Sequence, residues 1–410
     1  MLWHERCVCS GAGGARGDDK AGGCGAAEHA LLVWVDSGLL LSVRWGKERP
    51  PAQRSPHMMP AALHPGHLRR RAAQLVVAIG VTGLVVATLP GLHGARAHLQ
   101  DAQPVWLIVA AVIEIASALS YVVVLRAVFC PCMRWGPSYQ LGMSELAADS
   151  LLPAGGAGGL ALGAWALHRG GMSSGHITRR TVAFFLLTSA ANFAVVIGAG
   201  IGAGLGILPG RTTAALTLLP AALAAAAVAA VVLLPRLLDR AGAVSGSPLP
   251  AHTARARMRG FAVRACRSAG DGLRDALSLL GSGRTLVIAG SLGYLAFDIA
   301  ALGACFAATG GVPPLGDLVL AYTIGQLGGL IPLPGGVGGT DGGLIGMFVL
   351  YGAPIGSVTA AVLLYRLVQL GVPALLGLPA FVQLRRRLRR PEGFAAICEP
   401  LADETLTAQT

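Results

Sequence analysis

The chain has 410 residues, of which 54% are hydrophobic and only 13% charged, and 32 Lys and Arg against 20 Asp and Glu give it a net charge of +12. Its mean hydropathy is +0.63. This composition excludes a disordered chain, which would be polar and charge-rich, and an ordinary soluble enzyme, whose surface needs about 25% charged residues; it predicts an all-α, multi-pass membrane protein.

Residues 1–68 differ from the rest. They are rich in Gly, Ala, Arg and His, and their one apolar run, 30–43, contains Asp36. That run is shorter than the ~20 residues a span requires. The segment reads as a flexible cytoplasmic leader, or as an over-long start ahead of Met58 or Met59.

After Arg69-Arg70-Arg71 the apolar runs predict six spans: 72–92, 104–129, 181–208, 212–234, 285–308 and 355–384. Residues 93–103 read as a short polar loop, and 130–143 as a mixed segment. Glu114, Asp298 and Arg366 fall inside spans.

Two apolar segments, 144–171 and 318–352, do not fit a continuous helix. The first is broken at Leu152-Pro153-Ala154-Gly155-Gly156-Ala157-Gly158-Gly159. The second is broken at Ile331-Pro332-Leu333-Pro334-Gly335-Gly336-Val337-Gly338-Gly339-Thr340-Asp341. Pro removes a backbone donor and Gly weakens a helix. Each segment is therefore expected to form two half-helices joined at a Gly-rich break. Such a break is tolerated at membrane depth only where it is buried in protein or lines a cavity.

Loop charge predicts orientation. With the N-terminus in the cytoplasm, the Arg69–Arg71 triplet, the basic loop 235–284 and the Arg385–Arg390 cluster all lie inside. The outer loops then hold only Arg96 and Arg211. This asymmetry follows the positive-inside rule. It requires both broken segments to be re-entrant, one from each side. The shared Leu-Pro, the glycine runs and the preceding carboxylates Glu114 and Asp298 make the segments an inverted repeat. The domain organisation expected is a leader (1–68), a membrane domain (69–390) and a cytoplasmic tail (391–410).

Pro332, Pro334, Gly335, Gly336, Gly338, Asp341 and Arg366 carry a resemblance to a known family. They resemble the transmembrane, flippase-like domain of the lysylphosphatidylglycerol synthase family: Pro-x-Pro-Gly-Gly-x-Gly, an acidic residue, and an Arg in the last span. The family more often has Glu where this chain has Asp341. The first segment looks like the family's first Pro/Gly motif without its polar and Arg residues. The likeness covers about residues 69–390. It implies a membrane protein that moves a phospholipid or related amphiphile between leaflets. No aminoacyl-transferase domain is seen in the 20 residues after Arg390, so lipid synthesis is not expected.

The chemistry of the residues fits such a role. A Gly-rich break opening into a helix presents N–H groups and the positive end of the helix dipole to an anion. The candidates are Pro153, Gly155 and Gly156 in the first motif, and Pro332, Pro334, Gly335, Gly336, Gly338 and Gly339 in the second. Arg366 suits a lipid phosphate. Asp341 would orient Arg366 or meet a cationic headgroup. An Asp341–Arg366 or Asp298–Arg366 ion pair that only holds the bundle is the structural alternative. Glu114 and Asp298 stay open between proton carriers, headgroup contacts and structural partners.

Glu145 and Asp149 share a helix face. His168 and His176 read as interfacial polar residues. Ser173 and Ser174 have no visible base, and no nucleophile triad is found. The eight cysteines lack metal-ligand spacing, so no metal and no cofactor is expected. The expected partners are membrane lipids, with no nucleic acid. A separate synthase chain and a homo-oligomer stay open. The expected location is the inner (plasma) membrane with both termini cytoplasmic. A lipid-modifying enzyme and a non-transporting scaffold acting through the basic loop are the competing classes.

Overall fold

The computed structural model describes residues 93–131, 133–151, 157–170, 172, 174–210, 213–240, 284–330 and 339–388. The leader, the first expected span (72–92), most of the basic loop and the tail lie outside them. So do the Pro153–Gly156 break and the Pro332–Gly338 stretch. The described residues contain helices and no strand.

In chain order the helices are α1 (His93–Gln100), α2 (Pro104–Phe129), α3 (Trp135–Leu151), α4 (Ala157–Arg169), α5 (Ser174–Gly204), α6 (Ala214–Arg240), α7 (Arg284–Ala308), α8 (Leu315–Gly325), α9 (Gly339–Leu350) and α10 (Ile355–Arg387). A short 3₁₀ turn, Gln326–Leu330, continues α8. Four helices, α2, α5, α7 and α10, are long and apolar enough to cross a membrane. The protein is a multi-pass helical membrane protein. The apolar part of α6, Ala214–Ala230, is shorter than those four. At 1.5 Å per residue, α4 and α9 are each about 20 Å long, short of the ~30 Å hydrocarbon core.

The centre of the bundle is an antiparallel crossing of α2 and α7. The Gln103 N–H donates to the Ala308 carbonyl at 3.1 Å. Halfway along, Ser117 Oγ donates to the Tyr294 carbonyl at 3.1 Å. The helices approach closely because α7 carries Gly290 there. A Cβ at Gly290 would fall 2.6 Å from Val124 Cγ2. Small residues at such contacts are how helices pack tightly in lipid, where the hydrophobic drive between helices is absent.

α3 and α4 fold back on each other, as do α8 and α9. In the second pair Gly325 lets α8 lie against the α9 backbone, since a Cβ there would sit 2.8 Å from Leu344 Cα. α10 packs along α3, with Gly377 against the Met143 carbonyl and Ala147. The contact continues at the helix ends, where Gln140 Nε2 donates to Gln383 Oε1 at 3.1 Å. α5 and α6 form a hairpin in which Gly200 faces Thr217 and Ala221. After α9 the chain reverses at Gly352, whose φ of +84° favours glycine.

Several boundaries depart from the sequence reading: α4 begins at Ala157, inside the expected break, and α6 runs on to Arg240, past 234. Residues 93–103, read as a polar loop, contain the helix α1. Its Ala95 is fully buried against Ala360 of α10, with Leu99 and Leu363 beside them. Docking on α10 stabilises a helix that eight residues alone would not hold. α3 begins at Trp135, inside the segment read as mixed, and α5 begins at Ser174, ahead of Thr181. Among the described cysteines, Cys305 is a buried free thiol, whereas Cys130 is disulfide-bonded, which its spacing did not announce.

Candidate functional site

Four of the charges read from the sequence converge where α2 meets the second half of the bundle. Asp341 lies in the first turn of α9. Arg366 projects from α10 and donates through Nε to Asp341 Oδ1. Its Nη1 donates to Gln369 Oε1 at 2.8 Å, one turn further along α10. The Arg366 side chain is 13% exposed, and its Nη2 is buried without a hydrogen-bond partner. A guanidinium carries five N–H donors in a fixed fork. Part of that fork is therefore left over after the local partners are served.

Asp298 of α7 is 3% exposed. Two tyrosine hydroxyls converge on it. Tyr365 of α10 donates to Oδ1 at 2.7 Å, and Tyr322 of α8 donates to Oδ2. The Tyr322 oxygen in turn accepts from Gln326 Nε2 at 2.8 Å. The two rings meet edge to face, centroids 6.3 Å apart. Arg366 and Gln369 also act on the Asp298 carboxyl. This accounts for a buried charge in a span: charge-assisted bonds from several donors replace lost hydration.

Glu114 of α2 is 5% exposed. Its carboxyl lies against that of Asp298 across the α2–α7 crossing. Its Oε2 is buried with no hydrogen-bond partner. Glu114, Asp298, Asp341 and Arg366 thus form one connected network at the meeting of α2, α7, α9 and α10.

A second, smaller polar site lies in the first half. Tyr121 of α2 donates to Glu145 Oε2 of α3 at 2.7 Å. Asp149 accepts from the Gly159 N–H at 2.6 Å, which ties the start of α4 to α3. Gly163 of α4 leaves room for the Glu145 carboxyl, which a side chain there would displace. The face shared by Glu145 and Asp149 is thus turned inward onto α2 and α4. His168 Nδ1 lies 3.3 Å from the Met172 carbonyl at the end of α4.

Of the other residues named from the sequence, Gly339 is described: it is buried and opens α9. Pro153, Gly155, Gly156, Pro332, Pro334, Gly335, Gly336 and Gly338 lie outside the described residues. Sequence reasoning missed Tyr322, Tyr365, Gln326 and Gln369. One signal was available: Gln369 and Tyr365 flank Arg366 on α10, so a helix that carries a buried charge also carries its neighbours' donors. No group of three or more His, Cys, Asp or Glu that would hold a metal ion occurs among the described residues.

These features define a polytopic α-helical membrane protein with an ionic network buried between spans. Residues 72–377 match the family described as lysylphosphatidylglycerol synthase TM region. The chain belongs to that family. It is also 37% identical, over 99 residues, to a UPF0104 membrane protein of Methanothermobacter thermautotrophicus (strain ATCC 29096 / DSM 1053 / JCM 10044 / NBRC 100330 / Delta H). That match spans 24% of this chain and 28% of the relative.

Proposed function

We propose that the protein moves a phospholipid or related amphiphile between membrane leaflets through a polar site at mid-membrane. The observation that carries this reading is Arg366. A central Arg costs roughly 2.5 to 3.5 kcal/mol on insertion scales and by default marks a functional site. Here Asp341 and Gln369 engage only part of its fork, and Nη2 has no partner. The remaining donor suits a phosphate oxygen. The family to which the chain belongs is described by a lysylphosphatidylglycerol synthase, which is consistent with a phosphodiester headgroup.

The architecture proposed is six spans with two re-entrant segments in an inverted repeat. Pro334 follows Pro153 by 181 residues (334 − 153). The same step carries the starts of α2, α3, α4 and α5 to within one residue of those of α7, α8, α9 and α10. The antiparallel α2–α7 crossing suits two such units related by an axis in the membrane plane. The short pairs α3–α4 and α8–α9 are the re-entrant segments, entering from opposite faces. The Pro/Gly stretches between their helices, including Gly335, Gly336 and Gly338, supply amides to the headgroup. Both termini lie in the cytoplasm and the protein resides in the plasma membrane, following the loop charges. The protein acts as a transporter and not as an enzyme.

Proteoliposomes of phosphatidylethanolamine and phosphatidylglycerol, carrying a headgroup-labelled lipid, test this. Wild type is expected to move label between leaflets. Arg366→Ala and Asp341→Ala are expected to lose that movement while eluting as the same species. A wild type that moves no tested lipid overturns the reading. A new lipid product seen by mass spectrometry replaces it with an enzyme. Loss of function only on deleting the 235–284 loop replaces it with a scaffold.

A further inference from the structure

Glu114 and Asp298 raise a problem that the phosphate site does not solve. Both are nearly excluded from solvent, at 5% and 3% exposure. They lie against each other, and two carboxylates in contact in a water-poor interior repel strongly. Asp298 has its donors: Tyr365 on Oδ1 and Tyr322 on Oδ2. Glu114 has none on Oε2. The arrangement is asymmetric, and the asymmetry assigns the states. Asp298, receiving two O–H donors, is the ionised acceptor. Glu114 is satisfied only if it carries a hydrogen.

Among the described residues no cation is seen to act on Glu114. From α7 it is faced by Asp298, Tyr294 and Cys305, and from α10 by Tyr365. Arg366 acts on Asp298, but its Nε and Nη1 are committed to Asp341 and Gln369. Of the helices also packed on α2, α3 brings Glu145 and Asp149, which act on Tyr121. α5 carries its charges, His176, Arg179 and Arg180, in its first two turns. A metal ion would meet the O–H donors of Tyr322 and Tyr365 instead of lone pairs at Asp298. A proton needs only the carboxyl oxygens.

We propose that the Glu114–Asp298 pair is a binding site for one exchangeable proton, and that this proton moves together with the anionic headgroup. The second half rests on the lipid-translocation reading above. With the proton on Glu114, the cluster of Glu114, Asp298, Asp341 and Arg366 holds one net negative charge. When the Glu114 O–H bond breaks and the proton leaves to water, Glu114 becomes a carboxylate and the cluster holds two. A phosphate arriving at Arg366 is repelled more by the second state. Proton and phosphate therefore favour each other's binding, and linkage makes that reciprocal. Tyr322 and Tyr365 point their donors toward Asp298, and Gln326 donates to the Tyr322 oxygen, which keeps the proton on the Glu114 side of the pair.

The test has two arms. The first uses purified protein without transport. Infrared difference spectra between acidic and alkaline buffer are expected to contain a protonated-carboxyl C=O band that Glu114→Gln removes. In weak buffer, adding short-chain phosphatidylglycerol is expected to make wild type take up protons and E114Q take up none. Asp298→Asn, whose side chain is a poorer acceptor, is expected to shift the band, and it serves if E114Q does not fold. A band that E114Q leaves in place overturns the proton site.

The second arm uses sealed proteoliposomes of phosphatidylethanolamine and phosphatidylglycerol with the membrane voltage clamped at zero by potassium and valinomycin. One pH unit is worth about 1.4 kcal/mol. One proton per lipid therefore holds a roughly tenfold excess of labelled phosphatidylglycerol in the leaflet facing the alkaline side. Wild type that moves lipid without asymmetry, or accumulates it on the acidic side, or responds to a sodium gradient instead, overturns the coupling and leaves translocation standing. Wild type that moves no lipid but has the E114Q-sensitive band overturns translocation and leaves the proton site standing.

Discussion

The two halves of the bundle solve the same problem with the parts exchanged. In each, a tyrosine hydroxyl binds a buried carboxylate across the contact between a long helix and the first short helix after it. In the first half the tyrosine, Tyr121, is on the long helix and the carboxylate, Glu145, on the short one. In the second half the carboxylate, Asp298, is on the long helix and the tyrosine, Tyr322, on the short one. The difference lies in what surrounds them. Asp298 is linked onward to Tyr365, Arg366, Asp341 and Glu114. Glu145 is closed in by Tyr121 and the Gly163 backbone. One half carries a guanidinium with a donor to spare, and in the other none is seen at the buried acid among the described residues. In the proposed reading the halves divide the labour: the second binds, and the first braces.

That division is broken most severely at Arg366. Arg366→Leu takes the guanidinium from the partly buried Asp341, a loss of about 3 kcal/mol, the low end for a broken buried pair. The melting temperature in detergent is expected to drop accordingly. The double variant with Asp341→Leu is expected to recover most of the stability but none of the lipid movement. Full recovery of movement would reduce the pair to a structural brace.

Next in size is Gly325→Ala, at the backbone contact between α8 and α9. The Cβ would sit 2.8 Å from Leu344 Cα, and backbone yields less than a side-chain tip. Overpacking of this kind costs roughly 2 kcal/mol. Thermal unfolding measures it, and an unchanged melting temperature would place the second short pair further apart than described.

A smaller effect separates the halves directly. Tyr365→Phe and Tyr121→Phe each delete one hydroxyl from a buried carboxylate, at about 1.5 kcal/mol apiece for a bond to a charged group. Both are expected to lower stability similarly. Only Tyr365→Phe is expected to alter lipid movement. Equal loss of movement in Tyr121→Phe would end the distinction between a binding half and a bracing half. The smallest expected change is Ala360→Gly, where α1 docks on α10. It costs about 1 kcal/mol through helix propensity and should leave lipid movement intact.

How legible was this in the sequence? The long helices were legible because apolar runs of this length have few other uses, and α2 and α7 begin and end almost where the runs do. Glu114, Asp298 and Arg366 stood out because a charge inside such a run demands a reason. The Asp341–Arg366 pair was among the readings of the sequence, and the structure forms it; the hydroxyls that gather on Asp298 were not legible. Tyr322 and Tyr365 are ordinary residues in apolar helices, and nothing local announces that both reach one carboxyl on α7. The helix α1 was missed because its sequence is polar and its support, Ala360, lies on the far side of the chain. In each case the missing information is tertiary: a side chain's role was set by a helix distant in sequence.

The contact of α10 on α3 has a consequence for how the chain is made. The seam at Gly377, Met143 and Ala147 joins the last helix described to one of the earliest. During synthesis α3 is made long before α10 exists. Until then its seam faces lipid or whatever escort the cell provides. The first half cannot reach its final packing alone, and the molecule becomes quality-controllable only when α10 arrives. Chains interrupted before α10 should therefore be cleared as unassembled, whatever the soundness of the helices already inserted.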